Sequence, residues 1–108
     1  MKRGDVVTVT AGSGLGGKPR PALVLQSDDF AGSTVVLAII TSSTTPEESF
    51  RPRIAPSGGN GLRKISDVAV DSLITVRWEK IGSRIGALSE EDLLRVERSL
   101  MIFLSMAG

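Results

Sequence analysis

Arg20 stands between two prolines in Lys18-Pro19-Arg20-Pro21, directly after the glycine-rich stretch Gly12-Ser13-Gly14-Leu15-Gly16-Gly17. Each proline fixes its own φ and restrains the residue before it, so the backbone stiffens on both sides of Arg20 where a flexible loop gives way to a strand. That is a suitable mount for a functional side chain, and a guanidinium offers a charged, planar fork that matches phosphate. A second candidate is the hydroxyl run Thr41-Ser42-Ser43-Thr44-Thr45, which follows the apolar residues 35–40 without a break. Such hydroxyls either cap a turn or donate hydrogen bonds to a phosphoryl oxygen. Arg51, Arg53, Arg63 and Lys64 fall between residues 50 and 65 with no acid among them, which reads either as a solvated face or as a meeting place for an anion. Asp67 and Asp71 lie beside short β-type runs. Isolated acids there are usually solvated, although one of them could orient Arg20.

Composition narrows the chemistry further. The chain has 108 residues, a net charge of +1, no Cys and no His. Without Cys there is no disulfide scaffold, thiolate nucleophile or zinc–thiolate site. Without His the usual general base near neutral pH and the commonest metal ligand are gone. Catalysis would fall to Arg, Lys, Asp, Glu, Ser or Thr, and neither a metal nor a cofactor is expected. The glycine stretch lacks the Lys-Ser/Thr ending of a P-loop and no helix follows it, so it reads as a hairpin loop rather than a nucleotide cradle. No apolar run approaches the roughly 18–20 residues needed to cross a bilayer. Asp5 and Thr8 interrupt what could otherwise be a signal-peptide core, so the expectation is a cytoplasmic protein with no membrane partner.

The elements that must hold these residues are mostly strands. Val6-Val7-Thr8-Val9-Thr10 is rich in β-branched residues, residues 22–25 and 34–40 are short apolar runs, and 68–70 and 74–76 look like two more short strands. Asp28, Asp29 and Gly32 carry turn chemistry, residues 41–49 with Pro46 read as a loop, and Ser57-Gly58-Gly59-Asn60-Gly61 reads as a turn. Pro52 and Pro56 confine the extended stretch around Arg53 to a sheet edge. Only the end is helical. Ser89 supplies an N-cap ahead of Glu90, Glu91 and Asp92, Glu91 is spaced to pair with Arg95, and Leu93, Val96, Leu100, Phe103 and Leu104 make an apolar stripe. Met101, Ile102 and Met106 add apolar surface beyond that stripe, which suggests a dimer interface, the alternative being packing of the terminal turns under a loop. Together these features give a single domain over residues 1–108, a mostly β, small antiparallel barrel with a C-terminal helix.

Five ordered pieces of the chain resemble the MazF/PemK toxin family: Lys2-Arg3-Gly4-Asp5-Val6-Val7; Lys18-Pro19-Arg20-Pro21-Ala22-Leu23-Val24-Leu25-Gln26; Ile39-Ile40-Thr41-Ser42-Ser43; Asn60-Gly61-Leu62-Arg63-Lys64 with Val68-Ala69-Val70-Asp71; and Ile81-Gly82-Ser83-Arg84-Ile85-Gly86-Ala87-Leu88-Ser89. The resemblance implies an SH3-like barrel, a homodimer, inhibition by an antitoxin protein, and metal-independent cleavage of single-stranded RNA at short motifs. Carried over by position, Arg20 and Thr41 match catalytic residues, and Asp71 lies near an acid used in some members. Lys18, Ser42, Ser43, Arg51, Arg53, Arg63 and Lys64 become candidate RNA contacts. The chain departs from the family where Gly14 and Leu15 replace a usual loop glutamate, where one residue is added before Arg20, and where a frequent Asp-Gln pair is Asp71-Ser72.

The missing His fits this chemistry, because RNA supplies its own nucleophile in the 2′-OH. Attack on the neighbouring phosphorus gives a phosphorane whose added charge a guanidinium and a hydroxyl could stabilise, leaving a 2′,3′-cyclic phosphate and a 5′-OH. Two alternatives share the fold: a CcdB-like gyrase poison and an inactive member that only binds antitoxin. The gyrase contact of the first depends on a C-terminal tryptophan, whereas the single Trp here is Trp78.

Overall fold

The structure is a computed structural model that describes residues 1–10, 18–46 and 50–106. The glycine-rich stretch, with Gly14 and Leu15, lies outside the described residues. Six strands form one antiparallel sheet: β1 (Asp5–Val9), β2 (Arg20–Val24), β3 (Thr34–Thr41), β4 (Arg53–Ile54), β5 (Ser66–Arg77) and β6 (Ile81–Ala87). Their spatial order is β4-β5-β3-β2-β1-β6, and helix α1 (Glu90–Phe103) follows β6. The sheet curls into the expected barrel-like form.

Alternation along the strands explains the two hydrophobic clusters. Val6, Leu23, Ala38 and Ile40 point to one face, where they meet Val68, Val70 and Val96 of α1. Their immediate neighbours Val7, Ala22, Val24 and Leu37 point to the other, with Ile74, Val76 and the half-buried Trp78. Burial on both faces is why these strands read as continuous apolar runs instead of alternating ones. Trp78 also donates from Nε1 to the Gly32 carbonyl at 2.7 Å, so it closes the β3 turn and serves packing rather than base stacking.

The two short strands expected at 68–70 and 74–76 are one strand, β5, with an irregularity. Ala38 of β3 pairs with Leu73, but the next residue, Ile39, pairs with Ala69. Residues 70–72 therefore have no counterpart on β3. Three additional residues are an odd number, so side-chain phase inverts across them: Val68 and Val70 serve the helix-side cluster, while Ile74 and Val76 serve the opposite one. Each half looked like a separate strand because the sequence pattern changes face.

A further strand, β6, was hidden by its glycines, yet those glycines are what allow it to close the curl. The loop after β4 packs on β6, with the Ala87 amide donating to the Gly59 carbonyl at 2.9 Å. A Cβ on Gly86 would lie 2.4 Å from the Asn60 carbonyl carbon, and one on Gly61, whose φ is +71°, would lie 2.1 Å from the Ile85 carbonyl oxygen. Asn60 is buried and holds the loop: its Oδ1 accepts from the Ser57 and Leu62 amides and its Nδ2 donates to the Ala55 carbonyl.

In α1, Ser89 caps the first turn by accepting from the Asp92 amide at 3.1 Å, as its position implies. Arg95 pairs with Asp92 at 3.0 Å and not with Glu91, because its guanidinium also reaches the Arg53 carbonyl. Val96 is fully buried, with Leu93 and Leu100 packed beside it. Phe103 is half-exposed and stacks on Phe50 with ring centroids 5.2 Å apart.

The seam between the loop and β6 yields a test. Gly86→Ala should lower the unfolding free energy by about 1–3 kcal/mol through backbone overpacking, as measured by urea unfolding. A change within about 0.5 kcal/mol, the range of an ordinary surface substitution, would refute the seam.

Candidate functional site

Strand register brings the first two chemical candidates together. Ala22 of β2 pairs with Ile39 of β3, which leaves Arg20 and Thr41 each two residues beyond that pair, at the same end of the two strands. Arg20 begins β2 and Thr41 ends β3, and both line a hollow of about 440 Å³ at this end of the sheet. Ser42 lines it too, and the loop held by Asn60 brings Arg63 and Lys64 to its wall. Thr8, Ser66 and Ile85 complete the lining with other small and apolar residues.

The electrostatics of this hollow follow from what is absent around it. Among the described residues its lining holds three cations, Arg20, Arg63 and Lys64, and no carboxylate. Among the described residues none of the three makes an ion pair. Thr41 Oγ1 accepts a hydrogen bond from the Ser43 amide at 3.1 Å, which leaves the hydroxyl proton to be donated. Three cations and a free hydroxyl around a hollow of this size suit a phosphodiester.

The other candidates are held elsewhere. Asp71 falls in the unpaired stretch of β5 and forms a two-point ion pair with Arg51, Nε to Oδ1 at 2.8 Å and Nη2 to Oδ2 at 2.9 Å. It does not line the hollow, and that pairing with Arg51 holds its carboxyl below the usual range despite partial burial. The same contact raises the Arg51 guanidinium. A carboxyl so held is a weak base and orients Arg51, not Arg20. Ser43 acts through its backbone, and Lys18 is exposed next to Pro19 without lining the hollow.

Asp67, taken from the sequence as solvated, is fully buried. Its Oδ1 accepts from Arg53 Nε at 2.9 Å, and its Oδ2 accepts from the Thr45 amide at 2.8 Å and the Thr45 hydroxyl at 3.0 Å. Burial on its own pushes this carboxyl up, but the hydrogen bonds from Arg53 and Thr45 outweigh it and the net shift is downward. The basic stretch therefore divides. Arg63 and Lys64 face the hollow, whereas Arg51 and Arg53 are matched to acids far along the chain and line a second cavity with Phe50, Arg95, Arg98 and Ser99.

A family description, PemK-like, MazF-like toxin of type II toxin–antitoxin system, matches residues 2–104. The chain belongs to the PemK/MazF toxin family. It is 38% identical to a probable endoribonuclease MazF of Mycolicibacterium smegmatis, across the whole of both chains. With endoribonuclease MazF6 of Mycobacterium tuberculosis it shares 28% identity over 93% of each. In structure this PemK/MazF toxin resembles Mycobacterium tuberculosis toxin MazF-mt6, with a TM-score of 0.80 at 19% identity over 96% of this chain and 99% of that one. A mycobacterial endoribonuclease solved in complex with its cognate antitoxin gives 0.79 at 18% identity, over 100% and 96%. The last two likenesses establish the fold.

Among the described residues of this PemK/MazF toxin, no helix is long and apolar enough to cross a membrane, and no group of three or more carboxylates is placed to hold a metal ion. Sequence reasoning missed the role of Asp67. Its only signal was its place opposite a hydroxyl run and an edge arginine, which becomes visible once register is known.

Because the Asp67 and Asp71 carboxyls titrate below their unfolded-state values, their stabilisation is complete above about pH 4 and is lost as pH falls through the lowered folded values. Asp67→Asn should cost about 2–3 kcal/mol at pH 7, since Arg53 is only part-exposed, and should flatten the loss of stability between about pH 4 and pH 2. Urea unfolding across that range is the check; an unchanged acid limb would show that Asp67 does not carry it.

Proposed function

We propose that this PemK/MazF-type toxin is a sequence-specific endoribonuclease that cuts single-stranded RNA by attack of the ribose 2′-OH on the adjacent phosphorus, without a metal. The observation that carries this reading is the hollow shared by Arg20, Thr41, Arg63 and Lys64, whose lining among the described residues holds no acid. The endoribonuclease names of its full-length relatives support the reaction class. The lack of His and Cys supports a scheme in which the substrate brings its own nucleophile.

In this scheme the 2′-OH loses its proton as its oxygen bonds to phosphorus, the bond to the 5′-oxygen breaks and that oxygen takes up a proton, and the products are a 2′,3′-cyclic phosphate and a 5′-OH. Charge on the non-bridging oxygens rises at the phosphorane. Arg20 meets that charge and Thr41 adds a neutral donor, both fixed beforehand on strand ends, so little reorganisation is needed when the charge develops. Arg63, Lys64 and Ser42 hold the flanking backbone, with Lys18 beside the entrance, and binding weakens as salt rises. Arg51 and Arg53 enter as holders of Asp71 and Asp67, not as phosphate contacts. Asp71 takes no part in proton transfer.

Two partners complete the reading. An antitoxin protein covers the toxin, in line with the structural neighbour solved with its own. A second copy packs on the end of α1, where Met101, Ile102, Phe103, Leu104 and Met106 stay exposed beside Phe50. The place of action is the cytoplasm, where single-stranded RNA is found.

A digest of a long single-stranded RNA in EDTA tests the scheme. Discrete cuts ending in 5′-OH are expected, and the same RNA with 2′-deoxy at the cut position should stay intact. Arg20→Ala, folded with an unchanged melting temperature, should lose about a hundredfold to a thousandfold in kcat. Cutting of the deoxy substrate would end the 2′-OH mechanism. Full activity of Arg20→Ala would remove Arg20 from the site, and gyrase trapping without RNA cleavage would reassign the toxin.

A further inference from the structure

Thr41 is the last residue of β3, so beyond it the sheet no longer fixes the chain. The next anchor is Thr45, and its polar groups are taken up completely. The Thr45 amide and hydroxyl both donate to Asp67 Oδ2, and the Thr45 carbonyl accepts from Arg53 Nη2. Asp67 is also the residue that stands opposite Thr41 in the β3–β5 pairing, and Arg53 stands opposite Asp67 in the β4–β5 pairing. One residue therefore holds both ends of the arch 41–45: its backbone position at Thr41 and its carboxylate at Thr45.

Inside that arch the Ser43 amide donates to Thr41 Oγ1. This bond sets which way the Thr41 hydroxyl can turn, and it exists only while residues 42–44 keep their path between the two anchors. We infer that Asp67, supported by Arg53, is a positioning residue for cleavage, orienting the Thr41 hydroxyl toward the hollow through Thr45 and the Ser43 amide. The inference rests on the proposed function, since it gives Thr41 a part in the chemistry.

A buried carboxylate that bridges an edge strand could have a purely structural role, closing β4 onto β5. The two roles separate in kinetics. A structural role lowers the fraction folded or disturbs all of the site. A positioning role lowers kcat only while there is a Thr41 hydroxyl to position, because groups that act as one unit are not additive.

The experiment uses full-length toxin and a fluorogenic RNA oligonucleotide spanning a cut site mapped on long RNA. Thr41→Val, Thr45→Val, Asp67→Asn and the doubles Thr41→Val/Thr45→Val and Thr41→Val/Asp67→Asn are compared at a temperature where each is folded. Thr45→Val keeps the Asp67–Arg53 pair and removes one clamp bond, so it stays informative if Asp67→Asn does not fold. Each single clamp variant should lower kcat about fivefold to tenfold with KM within about twofold, since small misplacements of a reacting group have costs of this order or more. In the Thr41→Val background the same change should add less than about a twofold loss. Equal losses in both backgrounds would make the clamp structural and overturn the inference. Unchanged kcat in both clamp variants, with Thr41→Val impaired, would overturn it while leaving the nuclease reading intact. Unchanged kcat in Thr41→Val would overturn the role of Thr41 and the inference with it.

Discussion

The arrangement of this toxin depends on how its cations are matched. Arg51 and Arg53 are each taken by a carboxylate from β5, Asp71 and Asp67, while Arg20, Arg63 and Lys64 face a hollow with no acid in its lining among the described residues. Ion pairs between partly buried groups offset part of the cost of removing charge from water, and at distances large against their separation the fields of the two partners largely cancel. Among the described residues, the three cations at the hollow have no such ion pair. A near-neutral chain, at +1 overall, still gathers cations in one place because its charge is sorted in space.

Register does the sorting. The β2–β3 pairing brings the start of β2, with Arg20, beside the end of β3, with Thr41; the β3–β5 pairing sets Thr41 against Asp67, and the β4–β5 pairing sets Asp67 against Arg53. Thr41, Asp67 and Arg53 form a row across three strands, and a shift of one residue in either pairing would send a member to the other face. The three unpaired residues of β5 protect the row by letting one strand serve both hydrophobic clusters without shifting the pairing at either end. Closure at the opposite edge depends on backbone approach between the Asn60 loop and β6, which is why Gly61 and Gly86 have no room for a side chain. Arg63 and Lys64 follow that loop directly, so the fit of two glycines decides where two cations point.

Much of this was legible from residue order. The strand-rich fold, the Ser89 cap, the edge position of the Pro52 segment and the family itself follow from β-branched runs, proline placement and ordered motifs. Arg20 and Thr41 stood out because each sits at a strand end beside a loop. What the sequence hid was long-range. Asp67 reads as a solvated acid until β4 and β5 pair, since its partners are Arg53 and Thr45, 14 and 22 residues away. The basic stretch reads as one surface because its neutralising acids lie outside it. Strand β6 was obscured by glycines whose value is steric, and β5 by a phase change that only its partner reveals. In each case the missing information was a contact between segments and not a property of one segment.

The central claim is that a single phosphodiester meets Arg20 and Thr41 in the hollow lined by Arg63 and Lys64. The most direct measurement is an amide and arginine-Nε chemical-shift titration of the toxin with a non-cleavable RNA carrying 2′-deoxy at the cut position. The account predicts that the largest shifts fall at Arg20, Thr41, Ser42, Arg63 and Lys64, with the Arg51 and Arg53 Nε signals nearly still. Shifts concentrated instead at Phe50, Arg95 and Arg98, with Arg20 and Thr41 unmoved, would contradict it.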